Sequence, residues 1–243
     1  MLNMPKNVEV VTLQLPSHKR YQENLDTLLE HIEQHPDKQL IVAPEVFLTA
    51  LDYEHMATAA KFSANALRIL KRKVGSQTLV ITLILAEGDY FVNQAVVIHN
   101  HKIIYSQNKV KLFKLGDEDL YFIAGKKKNI KPFEIDGVKY AILICFELRF
   151  KELWRQVEGV DVVIIPSQWG LPRKSHIEAL SRALAIINQC FVVVSNSSSE
   201  DMASSSAIIS PMGEVVADDN IPAIEGVIDF REIKKMRRYI VVE

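Results

Sequence analysis

A single α/β domain with two mixed sheets covered by helices is predicted by three features of this 243-residue chain. Short apolar runs rich in Val, Ile and Leu recur along it, of the kind that suits strands buried on both faces. Amphipathic stretches at helical spacing alternate with those runs near both ends, and two hairpin patterns occupy the middle. No repeat, low-complexity tract or long linker divides the sequence, so residues 1–243 are read as one unit.

Val8–Leu13 reads as the first strand. His18–Gln34 places Tyr21, Leu25, Leu28, Leu29 and Ile32 in a stripe at helical spacing. Gln39–Ala43 is a short strand stopped by Pro44-Glu45. Glu54–Val74 is a second amphipathic helix whose basic end (Arg68, Lys71, Arg72, Lys73) suits the macrodipole. Thr78–Leu85 is a continuous apolar run and predicts a strand. Phe91–His99 and Lys102–Val110 flank Asn100-His101 as a hairpin. Gly116–Lys128 is polar and reads as irregular. Lys131–Ile135 and Val138–Ile144 flank Asp136-Gly137, a strong hairpin signal. Lys151–Val157 predicts a short helix and Asp161–Pro166 a buried strand. Ser175–Gln189 predicts a helix capped by Ser175, with Glu178 three residues on. Cys190–Ser195, Ser206–Ser210, Glu214–Val216 and Gly226–Asp229 complete the strands.

A formal net charge of -1 gives no reason to expect a nucleic-acid or anionic-membrane partner. No apolar run approaches the roughly 18–20 residues that span a bilayer. The opening MLNMPKNVEVVTLQL lacks the basic stretch and apolar core of a secretion signal. With only two cysteines, Cys145 and Cys190, a reduced cytoplasmic setting is expected.

Several polar residues end otherwise apolar runs: Glu45 after Ile41–Pro44, Lys109 and Lys111 after the run from Lys102, and Cys145 after Tyr140–Ile144. Strand ends beside loops are where α/β proteins tend to build sites. Singly, each has an ordinary reading as a loop charge, a solvated lysine or a small buried thiol. Together in one cleft they would form a coherent device. The carboxylate removes the thiol proton and later activates water. The thiolate attacks a carbonyl or nitrile carbon. The ammonium stabilises both the thiolate and the charge that develops on the substrate.

From about Val8 to about Phe230 the sequence resembles the carbon–nitrogen hydrolase (nitrilase) superfamily, on three motifs in the family's order. Pro44-Glu45-Val46-Phe47 is similar to PE-x-F, whose glutamate is the general base. Lys109-Val110-Lys111-Leu112-Phe113 is similar to K-x-H-L-F, whose first lysine is catalytic. Ile144–Phe150 resembles the segment containing C-Y-D-L-R-F, whose cysteine is the nucleophile. Glu118–Gly125 resembles E-x-x-x-F-x-x-G, which implies that Glu118 is a second acidic member of the site. Trp169–His176 resembles W-P…R-x-x-H with Gly170 in the proline place, which implies substrate contacts at Trp169 and Arg173. Ser206–Gly213 matches S-x-I-x-x-P-x-G, a structural strand and turn.

The resemblance implies a four-layer α-β-β-α sandwich that works without a metal or organic cofactor and assembles as a homodimer or larger homo-oligomer. It implies a small-molecule amide substrate, with Lys109 and the backbone N–H of Phe146 holding the oxyanion. The C-F-E-L-R-F form looks nearest the ω-amidase and Nit-like amidase branch, hence hydrolysis of a small terminal carboxamide through a thioester. The alternatives are an N-carbamoyl amide hydrolase or a non-catalytic protein that binds or scaffolds on the same fold. Lys111 stands where histidine is usual, Glu147 where many relatives carry aspartate, and Lys151 where proline often follows. Leu184 and Ile187 replace a charged pair, which reads as a compensated structural change. Period-two geometry would put Lys109 and Lys111 on one strand face, and motif register assigns the ammonium to Lys109.

Overall fold

A computed structural model describes residues 5–241, and in it the period-two alternation of the strands sorts their side chains into separate cores. The first half runs β1 (Asn7–Leu13), α1 (Tyr21–Gln34), β2 (Leu40–Val42), α2 (Met56–Lys73), β3 (Thr78–Glu87), β4 (Tyr90–His99) and β5 (Lys102–Asn108). The second half runs α3 (Glu118–Tyr121), β6 (Phe133–Ile135), β7 (Val138–Ile142), α4 (Lys151–Gln156), β8 (Val162–Ser167) and α5 (Lys174–Asn188). It closes with β9 (Phe191–Asn196), β10 (Ala207–Ile209), β11 (Val215–Val216), β12 (Ala223–Asp229) and α6 (Phe230–Tyr239).

The strands form two six-stranded mixed sheets, ordered β12-β1-β2-β3-β4-β5 and β11-β10-β9-β8-β7-β6. In each, three central strands are parallel and the flanking ones antiparallel. Val10, Leu40, Val42, Val80 and Val97 face the second sheet and pack with Ile142, Ile164 and Val193. Their neighbours Val11, Ile41, Leu79, Ile81 and Val96 face the other way, onto Leu25, Leu28 and Leu70 of α1 and α2. The second sheet is covered in turn by α4 and α5, through Leu153, Ile177 and Leu184. Four layers result, α-β-β-α, as expected.

Both hairpins turn where the dipeptides predict. Asn100 and His101 (φ 49° and 63°) and Asp136 and Gly137 (φ 50° and 81°) all adopt the left-handed region that a two-residue type I′ turn needs. Other expectations shift. Helix α1 begins at Tyr21, after a loop from His18, and the strand predicted to Val110 stops at Asn108. The Ser175 cap is not made: α5 starts one residue earlier, without a side-chain cap, and Glu178 instead accepts from the Ser205 hydroxyl at 3.0 Å. Leu184 is in the core, but Ile187 is 58% exposed on the outside of α5, so only the first of that pair is a core substitution. Within the stretch read as irregular, Glu118–Tyr121 makes one helical turn.

Candidate active site

The parallel strands of both sheets end at one place. After β2, Pro44 turns the chain and the Glu45 N–H donates to the Ser167 carbonyl at the end of β8 (3.2 Å). The next N–H, on Val46, donates to the Thr82 hydroxyl of β3 at 2.6 Å. After β7 the chain tightens into a 3₁₀ turn, Cys145–Arg149, with Cys145 at its head. Val46 (φ 42°) and Cys145 (φ 49°) both hold left-handed backbone that a residue bearing a Cβ adopts only under constraint. The two strained residues sit at or beside the groups that sequence reading singled out.

Lys109 is fully buried and lies between two carboxylates. Its Nζ donates to Glu45 Oε1 at 2.7 Å and to Glu118 Oε1 at 2.6 Å. Burial works against the ammonium, yet the carboxylates around it, Glu45 first and then Glu118, outweigh it and hold Lys109 above its ordinary range. Burial pushes the Glu118 carboxyl up, opposed by Lys109. The thiol of Cys145 is raised well above the usual range, first by burial and then by the Glu45 charge, with Lys109 opposing. Burial thus favours the neutral S–H over the thiolate. Cys190, in the apolar core, is pushed up by burial to about 12.

Lys109 and Glu118 arrive on one loop. It leaves β5 with the Lys109 N–H on the Asn93 carbonyl (2.8 Å) and closes where the Gly125 N–H donates to the Lys109 carbonyl (2.8 Å). Asp117, at φ 58°, turns the chain into α3, and the second oxygen of Glu118 accepts the Phe113 N–H at 2.8 Å. Lys111 does not share the face of Lys109, because the strand has already ended. It is 31% exposed, pairs with Glu152 at 3.0 Å, and stacks 4.3 Å from the centre of the Phe150 ring.

Glu147, fully buried, ties this loop to the turn headed by Cys145. One oxygen accepts the Val110 N–H at 2.6 Å, the other the Ile144 N–H at 2.7 Å. Burial raises its carboxyl to about 7, although both N–H donors favour the anion. Glu147→Gln sets an NH₂ group against one of those donors. We expect a loss of about 1–3 kcal/mol of stability in urea unfolding; an unchanged midpoint would mean that the clamp carries no energy.

A pocket of about 240 Å³, counting its open mouth, is lined by Phe113, Cys145, Phe146, Arg149, Gln168, Trp169 and Arg173. Phe146 is in the first turn of its 3₁₀ segment, where N–H groups lack acceptors within the turn. The Arg149 guanidinium lies 4.5 Å from the Trp169 ring centre and that of Arg173 5.2 Å from the Phe113 ring centre. Arg149 also bonds His176 Nδ1 at 3.0 Å, and the Trp169 Nε1–H is buried with no partner among the described residues. The pocket thus joins a thiol to two guanidiniums, a set suited to a substrate bearing a carboxylate.

The structure brings Glu45, Lys109, Glu118 and Cys145 together and sets Trp169 and Arg173 in the pocket wall. Sequence reading gave no role to Arg149, though the motif containing it was noted, nor to Asn93, whose Nδ2 donates to Glu45 Oε1 at 2.8 Å. Among the described residues, no group of three His, Cys, Asp or Glu side chains is arranged to hold a metal ion. No described helix is long and apolar enough to cross a membrane.

The family model for carbon–nitrogen hydrolases matches residues 10–230. The chain is 31% identical over 227 residues to a 2-oxoglutaramate amidase of Bacillus subtilis (strain 168), covering 88% of this chain and 86% of that one. It is 26% identical to an omega-amidase of Escherichia coli (strain K12), covering 74% and 72%. In structure it is similar to a CN-hydrolase superfamily protein from Xanthomonas campestris, with TM-score 0.86 and 19% identity over 96% and 95% of the chains. It is also similar to an amidase of Nesterenkonia sp. AN1 that carries an acetamide moiety on its active-site cysteine. That match has TM-score 0.84 and 17% identity over 99% of each chain.

Proposed function

The chain belongs to the carbon–nitrogen hydrolase family, and on that premise we propose that it is a cysteine-dependent amidase acting on the terminal carboxamide of a small carboxylate-bearing substrate. The observation that carries this reading is the buried Glu45–Lys109–Glu118 cluster beside the Cys145 thiol, under a rim holding Arg149 and Arg173. The amidase names of its Bacillus subtilis and Escherichia coli relatives support the same substrate chemistry.

Glu45 takes the proton from the Cys145 thiol as sulfur adds to the amide carbon. Lys109 and the Phe146 N–H hold the resulting oxyanion. The proton moves from Glu45 to the amide nitrogen, the C–N bond breaks, and ammonia leaves a thioester on Cys145. Water then attacks, giving its proton to Glu45. The C–S bond breaks, and the proton returns to sulfur as the acid departs. Glu118 fixes Lys109 between the two carboxylates and never touches the substrate carbon.

Arg149 and Arg173 favour a substrate whose far end is anionic. Ammonia release from ω-amides of short dicarboxylic acids, from N-carbamoyl amino acids and from nitriles tests the reading. We expect turnover with the ω-amides first. Preference for the carbamoyl compounds would move the chain to the alternative branch, and no turnover with any of them would leave a binding protein. A free thiol nucleophile supports a reducing, cytoplasmic setting. Exposed Ile186 and Ile187 on α5 support assembly into a homodimer or larger, which light scattering would test.

A further inference from the structure

Besides Lys109, the side chain bonded to Glu45 is Asn93, which the chemistry above does not use. It lies on β4 opposite Ile84, and its side chain falls on the strand face that carries Ala95 and Val97 into the core between the sheets. Only 1% of it is exposed. Its Nδ2 donates to Glu45 Oε1 at 2.8 Å, and its backbone carbonyl accepts the Lys109 N–H at 2.8 Å. The remaining amide atom, Oδ1, is buried with no hydrogen-bond partner among the described residues.

Turning the amide over would set Oδ1 against a carboxylate oxygen, acceptor to acceptor, so the neighbour determines its orientation. Buried polar atoms are almost always paired, and an apolar residue of similar size would fill this space without orphaning one. The orphan is tolerated together with the single bond that the amide makes. Oε1 of Glu45 is then occupied twice, by Asn93 and by Lys109, while Oε2 receives no hydrogen bond among the described residues.

We propose that Asn93 is a positioning residue for the general base, holding Oε1 of Glu45 so that protons pass through Oε2. The proposal rests on the assignment of Glu45 as that base. When Cys145 adds to the substrate, the S–H bond breaks, its electron pair forms the C–S bond, and the proton goes to Oε2. A donor on Oε1 favours the charged carboxylate that starts this step. The other ionisable groups that feel the Glu45 charge are Lys109, Cys145, Glu118, Glu147 and Tyr53. Of these only the Lys109 cation favours the Glu45 anion, so among the described residues Asn93 is the one neutral side chain hydrogen-bonded to it in support.

The test compares Asn93→Leu and Asn93→Asp with Glu45→Gln, measuring kcat, KM and the pH dependence of kcat. Leucine keeps the branched four-heavy-atom outline, though it is bulkier, and removes the orphaned oxygen with the donor; Asn93→Asp keeps the size and serves as the check on the fold. For Asn93→Leu we expect kcat to fall about 10–100-fold. KM should stay within about threefold, and the acid limb of kcat should move up. Asn93→Asp places a second anion against Glu45 and should move that limb further in the same direction. A folded Asn93→Leu with wild-type kcat and acid limb, beside an inactive Glu45→Gln, overturns the proposal. Full turnover by Glu45→Gln removes the base assignment itself, a separate failure. Loss of the folded circular dichroism spectrum in both Asn93 variants also overturns it, since the amide would then serve the fold first.

Discussion

Cys145→Ala is expected to abolish amide turnover while leaving thermal unfolding within a few degrees of wild type. The side chain is small and lines the pocket, so its loss opens little of the core. The covalent step, by contrast, has no substitute nucleophile. The same geometry makes a distinction between the two thiols. Cys145 is reached through the pocket and has a base beside it, whereas Cys190 is closed inside the core with its thiol pushed up to about 12. Brief treatment with iodoacetamide, followed by peptide mass mapping, should therefore label Cys145 alone. In the proposed chemistry Glu45 takes the thiol proton, so labelling should depend on that carboxylate acting as the base. Slower labelling in Glu45→Gln is the expected result. Equal labelling of both cysteines in the folded protein would sink the nucleophile assignment.

Lys109→Ala should damage both activity and fold. Losing one preorganised donor to the oxyanion lowers kcat by about 10²–10³, and the buried pair of Glu45 and Glu118 is left facing without its cation. Breaking a buried ion pair typically destabilises by about 3–5 kcal/mol. One of the two carboxylates must then protonate to relieve the repulsion, so its folded-state pKa rises in the variant. A raised carboxyl contributes stability below its unfolded value and loses it as pH rises through the folded one. Urea unfolding should accordingly find Lys109→Ala weakest at pH 8 and closest to wild type at pH 5. Lys111→Ala is the control: its exposed pair with Glu152 is worth about 0–1 kcal/mol. If Lys111→Ala were the damaging change of the two, the catalytic ammonium would be misassigned.

Glu45, Lys109 and Cys145 were legible in the sequence because each follows an apolar run, and a polar residue at the end of a buried strand is conspicuous. Their neighbours were not. Asn93 sits in FVNQAVVIH, where alternation is plain but nothing says which face meets the second sheet. Its amide therefore looks like any solvent-facing residue. The separation of Lys109 from Lys111 was invisible for a related reason: it depends on the strand stopping at Asn108, and no proline or glycine marks that stop. The last helix went unread because its apolar stripe is only Phe230, Ile233 and Met236 among six charges. The four layers were easier, since β-branched runs and helical stripes are repeated signals that tolerate errors at single positions.

Gly125 sets how this site can fail. A Cβ there would lie 2.4 Å from the Asn108 carbonyl oxygen, so the closure of the 109–125 loop accepts no side chain. That closure is a latch: Lys109 leaves and Gly125 returns at one point, and both Lys109 and Glu118 hang on the chain between. Local opening is governed by the weakest cooperative unit, not by the core as a whole. Releasing the latch would withdraw the cation and one anion together while both sheets stayed intact. Thermal inactivation would then precede global unfolding, and its temperature would report on the few hydrogen bonds that hold this loop.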